Sequence, residues 1–405
     1  MKKVILTASM LALLFINLKA QNKNNTDSST YKSRKLKVEE INFVSGYYQQ
    51  DGNNSAVTGG IGTEKLTDIA NSIDLKLSRI DKKNNIHNLS FELGVDTYTS
   101  ASSDKIDPAT VSSASSRDLR VYPSANYSFN NTDKNFTLGG GISFSMEYDY
   151  TSIGSLLSFS KSSKDNNREI SVKASAFLDT WKVILPIELR APGYNIPGSR
   201  KKAPSDTKPR NSYNLGFELS QVINKNLQMA FLLDLAYQDG LLATSYQRVY
   251  FKDGSVKIEN LPSSRFKVPF GIRANYFLGD RMVLRSYYRY YIDNWKVNAH
   301  TFSIEPHYKL TPFKSIGLLY RFYVQEGTEY FKPINQHALT DEFYSSDYDL
   351  SSFNSNMIGL NTKFTDASKG LLGIKKLNTI ELRYGYYARN TGLKSHIVSL
   401  LFKFK

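Results

Sequence analysis

Apolar and polar residues alternate one by one along most of this chain, rather than at the spacing of a helix. The C-terminus shows the pattern clearly, because Val398, Leu400, Phe402 and Phe404 occupy every second position up to the end. A period of two places successive side chains on opposite faces of a β-strand. The pattern predicts a terminal strand with one apolar face and an aromatic residue next to its end.

Sixteen stretches with this period follow one another, from Val38–Tyr48 to Ser395–Lys405. Most have the about 9–11 residues that a tilted strand needs to cross a bilayer. Short polar turns such as Asp81–Asn85 alternate with longer connections such as Gln49–Thr67, which is typical of outer-membrane barrels with short periplasmic turns and long outer loops. We therefore predict a transmembrane antiparallel up-and-down β-barrel of about sixteen strands. Fourteen or eighteen remain possible, since Leu241–Phe251 could extend a strand within a loop.

The first twenty residues have the features of a secretory signal. Lys2 and Lys3 precede an apolar run from Val4 to Leu18, and Ala20 supplies the small residue before a cleavage site. Residues 21–37 are rich in Asn, Ser, Thr and Lys, which predicts a disordered periplasmic tail. The barrel is then expected to occupy residues 38–405, in the outer membrane of a Gram-negative bacterium.

Amino-acid composition limits the classes of molecule that the chain is expected to bind. It has no cysteine, which excludes a lipoprotein anchor and disulfides, and its formal net charge is +15. Basic proteins often bind nucleic acid, but an exported chain does not normally meet it. The expected partners are outer-membrane lipid and lipopolysaccharide, small solutes, and the barrel assembly machinery through the C-terminal strand; no cofactor is expected.

Both tryptophans follow the end of an outward-running predicted strand. Trp181 and Trp295 are accompanied there by several tyrosines. Amphipathic rings favour the boundary between membrane and water. We therefore expect both tryptophans to be aromatic residues of the outer membrane interface.

Charged positions on the predicted strands indicate which face points inward. Arg285 and Arg289 share a face of the stretch Met282–Ile292, and an arginine facing lipid at the bilayer centre costs about 2–4 kcal/mol. The same reasoning gives the predicted lumen residues: Arg273, Arg285, Arg289, Arg321, Arg383, Glu92, Glu147 and Asp234.

The acids of this set belong to the first nine strands and the bases to the last seven. Around a closed barrel these are opposite walls, and opposed charged walls create a transverse field across a pore. The alternative is that the charges pair with one another and pack a narrow or plugged lumen.

Other chemical motifs are weak. Glycines within Gln49–Thr67 lack the spacing of a phosphate-binding loop, so a tightly turned outer loop is the preferred interpretation. The basic loop Asp179–Asn211 could contact lipopolysaccharide phosphates or simply be solvated. Two acidic groups, around Asp104 and around Asp347, lack the spacing of a cation-binding loop. We predict no metal site.

An enzyme would need a base within reach of a partner. His307 shares a predicted face with Glu305, which could orient it. A histidine satisfied within the lumen explains the same pattern more simply. We therefore predict no catalytic residue and no enzyme activity.

Four segments resemble a bacterial family, the domain-of-unknown-function family 3570. The run YYQQDGNNSAVTGGIGTEKLTD at Tyr47–Asp68 resembles its opening signature, and the other three segments are VDTYTSAS at Val95–Ser102, RSYYRYYIDNW at Arg285–Trp295 and LLYRFYVQEGTEYF at Leu318–Phe331. The resemblance implies an exported protein of the outer membrane with no established activity, and it supplies no catalytic residues.

Two functions remain open from the sequence. The first is a porin-type channel that passes small polar or charged solutes between acidic and basic walls. The second is a closed structural or surface-binding barrel whose long outer loops bind a partner or lipopolysaccharide. Folding of Gln49–Thr67 and Thr99–Arg117 over the lumen would favour the second.

Overall fold

The computed structural model describes residues 35–100, 117–190, 206–366 and 368–405. The predicted signal sequence and nearly all of the predicted tail lie outside these residues. So do Asp104 and most of the loop Thr99–Arg117.

Sixteen long antiparallel strands close into one barrel, because each alternates an apolar face with a polar one over eleven or more residues. Two short strands, β10 and β11, form a separate hairpin. The strands are β1 Lys37–Asp51, β2 Leu66–Ile80, β3 Ile86–Ser100, β4 Arg117–Asn131, β5 Phe136–Met146, β6 Tyr150–Ser162, β7 Arg168–Lys182, β8 Thr207–Asn224, β9 Leu227–Gly240, β10 Arg248–Tyr250, β11 Val256–Ile258, β12 Ser264–Leu278, β13 Met282–Asp293, β14 Asn298–Thr311, β15 Lys314–Glu326, β16 Phe353–Thr365, β17 Leu377–Arg389 and β18 Lys394–Phe404.

Each barrel strand pairs with its neighbours in the chain, apart from two places. β1 pairs with β18, which closes the barrel at the register Ile41 to Phe404, and β9 pairs directly with β12. The predicted sixteen-strand barrel is confirmed. The suggestion that Leu241–Phe251 extends a barrel strand is wrong, since this stretch leaves the wall after Gly240 and contains β10, which pairs only with β11.

One predicted strand was too long. The stretch Phe136–Tyr150 is divided, because β5 ends at Met146 and β6 already begins at Tyr150. A backbone hydrogen bond from Glu147 N to Tyr150 O closes this tight turn at 2.8 Å. Glu147 therefore lies just beyond the end of β5, and not within a strand.

The outer surface of the wall is apolar and unpacked. Ile142, Leu157 and Ile358 each expose more than 60% of their surface. Exposed apolar side chains all around a barrel form a surface suited to lipid. At the seam, Phe43 and Phe402 stack on this outer face with ring centroids 6.3 Å apart.

Most buried apolar side chains lie instead at the end of the barrel with the long loops. Leu242, Ala243, Leu261 and Trp295 form one cluster, and only the last of them comes from a short loop. Among the loop residues that the structure describes there are three short 3₁₀-helices: Ala56–Thr58, Ile187–Leu189 and Tyr348–Leu350. Within the described residues, none of the helices is long and apolar enough to cross a membrane.

Candidate functional site in the barrel lumen

The cross-strand register shows which residues face the lumen. In β12 the residues Phe266, Phe270 and Tyr276 are exposed on the lipid side, so the odd-numbered residues point inward. Arg273 is among them, and it pairs across the sheet with Tyr287. The same parity, followed from strand to strand, places on the inward face Arg273, Arg285, Arg289, Arg321, Arg383, Glu92 and Asp234.

Most of these inward side chains are nevertheless exposed to solvent. The exposed ones are Arg273, Arg285, Arg383, Glu92 and Asp234. An inward side chain can be exposed only where other side chains do not fill the space in front of it. Side chains therefore do not fill the lumen at their level.

Half of the predicted lumen residues have an ion-pair or hydrogen-bond partner. Arg383 bonds Glu381 at 2.5 Å, and the closest nitrogen of Arg273 lies 3.8 Å from Glu218. Arg285 Nη1 lies 3.3 Å from His307 Nε2. Glu147 accepts a hydrogen bond from Tyr98 at 2.8 Å and lies near Arg120.

The other half form no ion pair and no side-chain hydrogen bond with any described residue. They are Glu92, Asp234, Arg289 and Arg321. Glu92 on β3 and Arg289 on β13 lie eight strands apart in a barrel of sixteen, so they occupy opposite walls.

The separation of charge is partial. The basic half also contains Glu305 and Glu381, and the acidic half also contains Arg120 and Lys173, all on the inward face. The strand parity that selected the predicted residues also identifies these four.

A cavity of about 630 Å³ opens from the lumen near the outer end of the wall. Five neighbouring strands, β7, β8, β9, β12 and β13, supply its lining. Predicted lumen residues Asp234 and Arg289 line it, together with Asp179 and Lys267, which the sequence reasoning did not select as site residues.

Three long loops pack together above the lumen, and we call them the cap: residues 52–65, 241–263 and 327–352. Arg248 Nη1 donates to Val57 O at 2.9 Å, which joins the first two loops. Asn260 N donates to Tyr344 O at 3.1 Å and joins the second to the third. These bonds make one folded unit from segments far apart in the chain.

Glycines let the first cap loop approach the third closely. Gly60 has φ 84°, and a Cβ added to it would lie 2.7 Å from Ser346 O. A side chain at this position would be strained and would also clash. The sequence expectation of a tightly turned glycine loop describes this geometry.

The cap contacts widely separated parts of the wall. Gln50 on β1 donates to Glu64 O at 3.0 Å, and Gln325 on β15 donates to Ser351 O at 2.7 Å. On β7, six strands away from each, Trp181 packs edge-on against Tyr246 of the second cap loop at 6.4 Å. The cap therefore reaches across the outer mouth of the barrel.

The placement of both tryptophans at the membrane interface is wrong. Trp181 is 6% exposed and Trp295 is 3% exposed. Both lie under the cap: Trp181 faces inward beneath Tyr246, and Trp295 Nε1 donates to Ser264 O at 2.9 Å within the apolar cluster. A large ring that follows a strand end can be covered by a loop as readily as by lipid. The alternation of apolar and polar residues does not distinguish these two environments.

Tyrosines occupy the outward positions at this end of the wall instead. Tyr47, Tyr237 and Tyr384 are exposed there, and His396 accepts or donates a 2.9 Å hydrogen bond with the Tyr384 hydroxyl. These rings have the amphipathic character that suits an interface.

Two carboxyl groups lie inside the cap, the buried Glu259 and the half-buried Asp347. Glu259 accepts a hydrogen bond from Thr244 N at 2.7 Å and another from the Ser345 hydroxyl. Burial raises the pKa of Glu259 to about 8, and burial with the nearby charge of Asp349 raises the pKa of Asp347 to about 6.

The two remaining sequence motifs, the pair His307 and Glu305 and the basic loop Asp179–Asn211, have ordinary partners. His307 Nε2 lies 2.8 Å from Glu305, so the structure brings this predicted pair together, beside Arg285. In the basic loop, Arg210 stacks over Trp181 at 5.0 Å, while Arg200, Lys201 and Lys202 lie outside the described residues.

The acids of the group around Asp347 have separate partners, and the group around Asp104 lies outside the described residues. Asp341 bonds Lys332 and His337, and Asp349 bonds Arg389, so these acids are engaged separately. A different set, Asp118, Glu147 and Asp149, brings carboxylate oxygens within 4.8 Å of one another.

A closed sixteen-stranded antiparallel barrel with an apolar outer face and charged side chains on its inward face is an outer-membrane β-barrel of porin-like form. The chain belongs to the family described as "Protein of unknown function (DUF3570)", whose model matches residues 107–396. Of the four segments that carried the resemblance, Arg285–Trp295 and Leu318–Phe331 lie within this range. No curated protein matches the chain as a relative.

Several solved outer-membrane barrels are similar in fold. A bacterial polysaccharide outer membrane secretin is 10% identical, with a TM-score of 0.45, over 90% of this chain and 98% of that one. OprD from Pseudomonas aeruginosa is 8% identical, with a TM-score of 0.42, over 91% and 93%. OccD3 from Pseudomonas aeruginosa is 9% identical, with a TM-score of 0.42, over 91% of each chain.

Proposed function

We propose that this protein is an outer-membrane channel that passes small polar or charged solutes through the lumen and whose outer mouth is covered by the cap. The observation that carries the proposal is the set of inward charged side chains that remain exposed, such as Arg285 and Glu92. A lumen packed shut would bury these groups against partners, because an unpaired buried charge is costly.

The proposal includes a transverse field between Glu92 on one wall and Arg285, Arg289 and Arg321 on the other. Charges of opposite sign across a narrow wet passage orient a polar solute and select by charge. The acids of the basic half, such as Glu305, weaken this field without cancelling it.

A closed surface-binding barrel is the second candidate, and the cap favours it. The first cap loop packs on the second, as a closed barrel requires, through the bond from Arg248 to Val57. In this alternative the folded loops bind a partner at the cell surface, and solutes do not pass.

Conductance separates the two candidates. Purified mature protein is inserted into a planar bilayer, and single-channel current is recorded with and without a salt gradient. Stable ohmic steps support the channel, and the sign of the reversal potential shows which wall dominates. A folded barrel that gives no steps, including after proteolytic trimming of the cap, contradicts the channel and supports the closed barrel.

Lipopolysaccharide and the barrel assembly machinery remain proposed partners on sequence grounds. The basic residues of the loop Asp179–Asn211 suit lipid phosphates, and the C-terminal strand ends in the aromatic residue Phe404 beside Lys405. We propose no enzymatic role.

A further inference from the structure

We infer that the cavity beneath the cap binds a small zwitterionic solute with one ammonium and one carboxylate group, as free amino acids have. The inference rests on the proposed channel, because it names the class of solute that would pass through it. Four charged residues carry the argument: Asp179, Asp234, Lys267 and Arg289.

The cavity lies directly below the contact between cap and wall. Asp179 lines it two residues before Trp181, the residue that meets Tyr246 of the cap. Its volume of about 630 Å³ falls within the range of small-molecule sites. A solute that enters past the cap would meet this cavity first.

The acidic side of the cavity has acceptors in need of donors. Asp179 is 8% exposed, its Oδ2 accepts a hydrogen bond from the Tyr150 hydroxyl, and its Oδ1 is buried with no hydrogen-bond partner. Buried polar atoms almost always have a partner, and the Asp179 side chain lines the cavity, so we take the missing partner of Oδ1 to be a donor on a ligand. Asp234 lines the same cavity and pairs with no cation among the described residues.

The basic side has cations in need of acceptors. Lys267 and Arg289 line the cavity, and within the described residues neither has an anion within 4.0 Å. On one side their neighbours across the sheet are small, since Ala236 faces Lys267 and Gly271 faces Arg289. On the other side Thr301 faces Arg289, and Asp293, which faces Lys267, is held by Arg265. The guanidinium fork of Arg289 is therefore accessible for a two-point contact with a carboxylate.

The equal numbers of acidic and basic side chains in the cavity indicate the charge of the solute. Two acids and two bases share one cavity without pairing to one another, which disfavours a purely anionic or cationic ligand. The remaining polar lining, Ser212, Asn214 and Gln238, is neutral and offers both donors and acceptors. A zwitterion satisfies both sides at once.

Binding is measured by titration calorimetry on the protein in detergent micelles, which does not depend on conduction. The probes are L-glutamine, its α-amide, which lacks the carboxylate, and N-acetyl-L-glutamine, which lacks the ammonium. We expect each blocked analogue to bind at least about tenfold more weakly than L-glutamine, because a charged hydrogen-bond partner is lost. Equal binding of all three, or binding of none, would overturn the inference.

Variants of the cavity residues test which residue binds the carboxylate and which binds the ammonium group of the solute. Arg289→Gln should remove the preference for L-glutamine over its α-amide, and Asp234→Asn should remove the preference over the acetylated form. Lys173→Gln and Glu218→Gln are the matched controls, since both residues face the lumen outside the cavity and should leave both preferences unchanged. Folding of each variant is checked by its heat-dependent mobility in gels, and Arg289→Lys should retain part of the preference.

Conductance of the same preparations separates this inference from the channel. Ohmic steps without a preference for L-glutamine would overturn the zwitterion site and leave the channel. A clear preference without conductance in any preparation would overturn the channel and leave the binding site.

Discussion

The wall and the cap of this molecule bury their apolar side chains in different places. In the wall, Leu157 exposes 68% of its surface, and its packing partner is the lipid. In the cap, Val249 and Phe251 are almost fully buried by other loop residues, as in the core of a soluble domain. One chain thus contains a membrane structure and, at one end of it, a small water-soluble structure.

The difference shows that apolar residues alone do not indicate where a core lies. The wall is stabilised by its closed ladder of backbone hydrogen bonds and by transfer of its outer face into lipid. The cap is stabilised by packing and by buried hydrogen bonds such as that from His337 to Ser345 O. Substitutions should therefore act differently in the two regions.

The largest effect is expected from Trp295→Ala. It removes a ring that is 3% exposed and packed on Leu242 and Tyr330, and such a cavity costs about 3–5 kcal/mol. The cap should become sensitive to limited proteolysis while the barrel keeps its heat-dependent gel mobility. Leu157→Ala is the control and should change neither, since lipid or detergent fills the space. Equal protease resistance of the two variants would contradict the division into wall and cap.

A charge on the lipid face should have the next largest effect. Leu157→Arg is expected to destabilise the barrel by about 2–4 kcal/mol, because the guanidinium must sit in hydrocarbon. Ser158→Arg, at the next position on the inward face, should cost much less because its side chain reaches water. Urea unfolding in lipid vesicles measures the free energy of unfolding of both variants. Similar losses of stability would show that the two faces are not distinct.

The stability of the cap should depend on pH. Folding raises the pKa of Glu259 from its ordinary value near 4.5 to about 8 and that of Asp347 from 3.8 to about 6. Since the folded cap holds these protons more tightly than the unfolded loops, the stability that these two groups contribute is greatest below both ordinary values. That stability is lost as pH rises through about 6 and then about 8.

Limited proteolysis at pH 5.5 and pH 8 tests this expectation. The cap should be cut faster at pH 8, and Glu259→Gln, which stays neutral, should reduce the difference. Asp341, whose pKa is lowered to about 2, acts only at lower pH and does not offset it. A wild-type cap that is equally resistant at both values would refute the expectation.

The smallest effect concerns the wall alone. Arg321→Gln removes one unpaired inward cation, which should shift the reversal potential in a salt gradient towards cation selectivity by a few millivolts. Glu92→Gln should shift it in the opposite direction. Shifts of the same sign would show that these side chains do not act on opposite walls of one pore.

The strands of the wall could be predicted from the sequence because the alternation of apolar and polar residues repeats in every strand. A period of two fixes both the strand and its inward face, so the positions of Arg285 and Glu92 follow from parity. The predictions were wrong where the chain leaves the paired strands of the wall. The strand predicted at Phe136–Tyr150 ends at Met146, and Leu241–Phe251 contains β10 instead of extending a barrel strand.

The cap could not be predicted because its contacts have no period. The bond from Arg248 to Val57 spans 191 residues, and nothing in either local sequence indicates the other. The same reason explains why Trp181 and Trp295 were predicted to lie at the membrane interface. The cavity was missed in part, because Asp179 and Lys267 become notable only when five strands are placed side by side.

The direct pairing of β9 with β12 also has a consequence for the order of folding. The second cap loop begins and ends on adjacent strands, about 5 Å apart, and the first and third loops do so as well. Once the wall has closed, most of the entropy of bringing these loop ends together has already been lost. The cap should therefore fold quickly and late, as a local event on a finished scaffold.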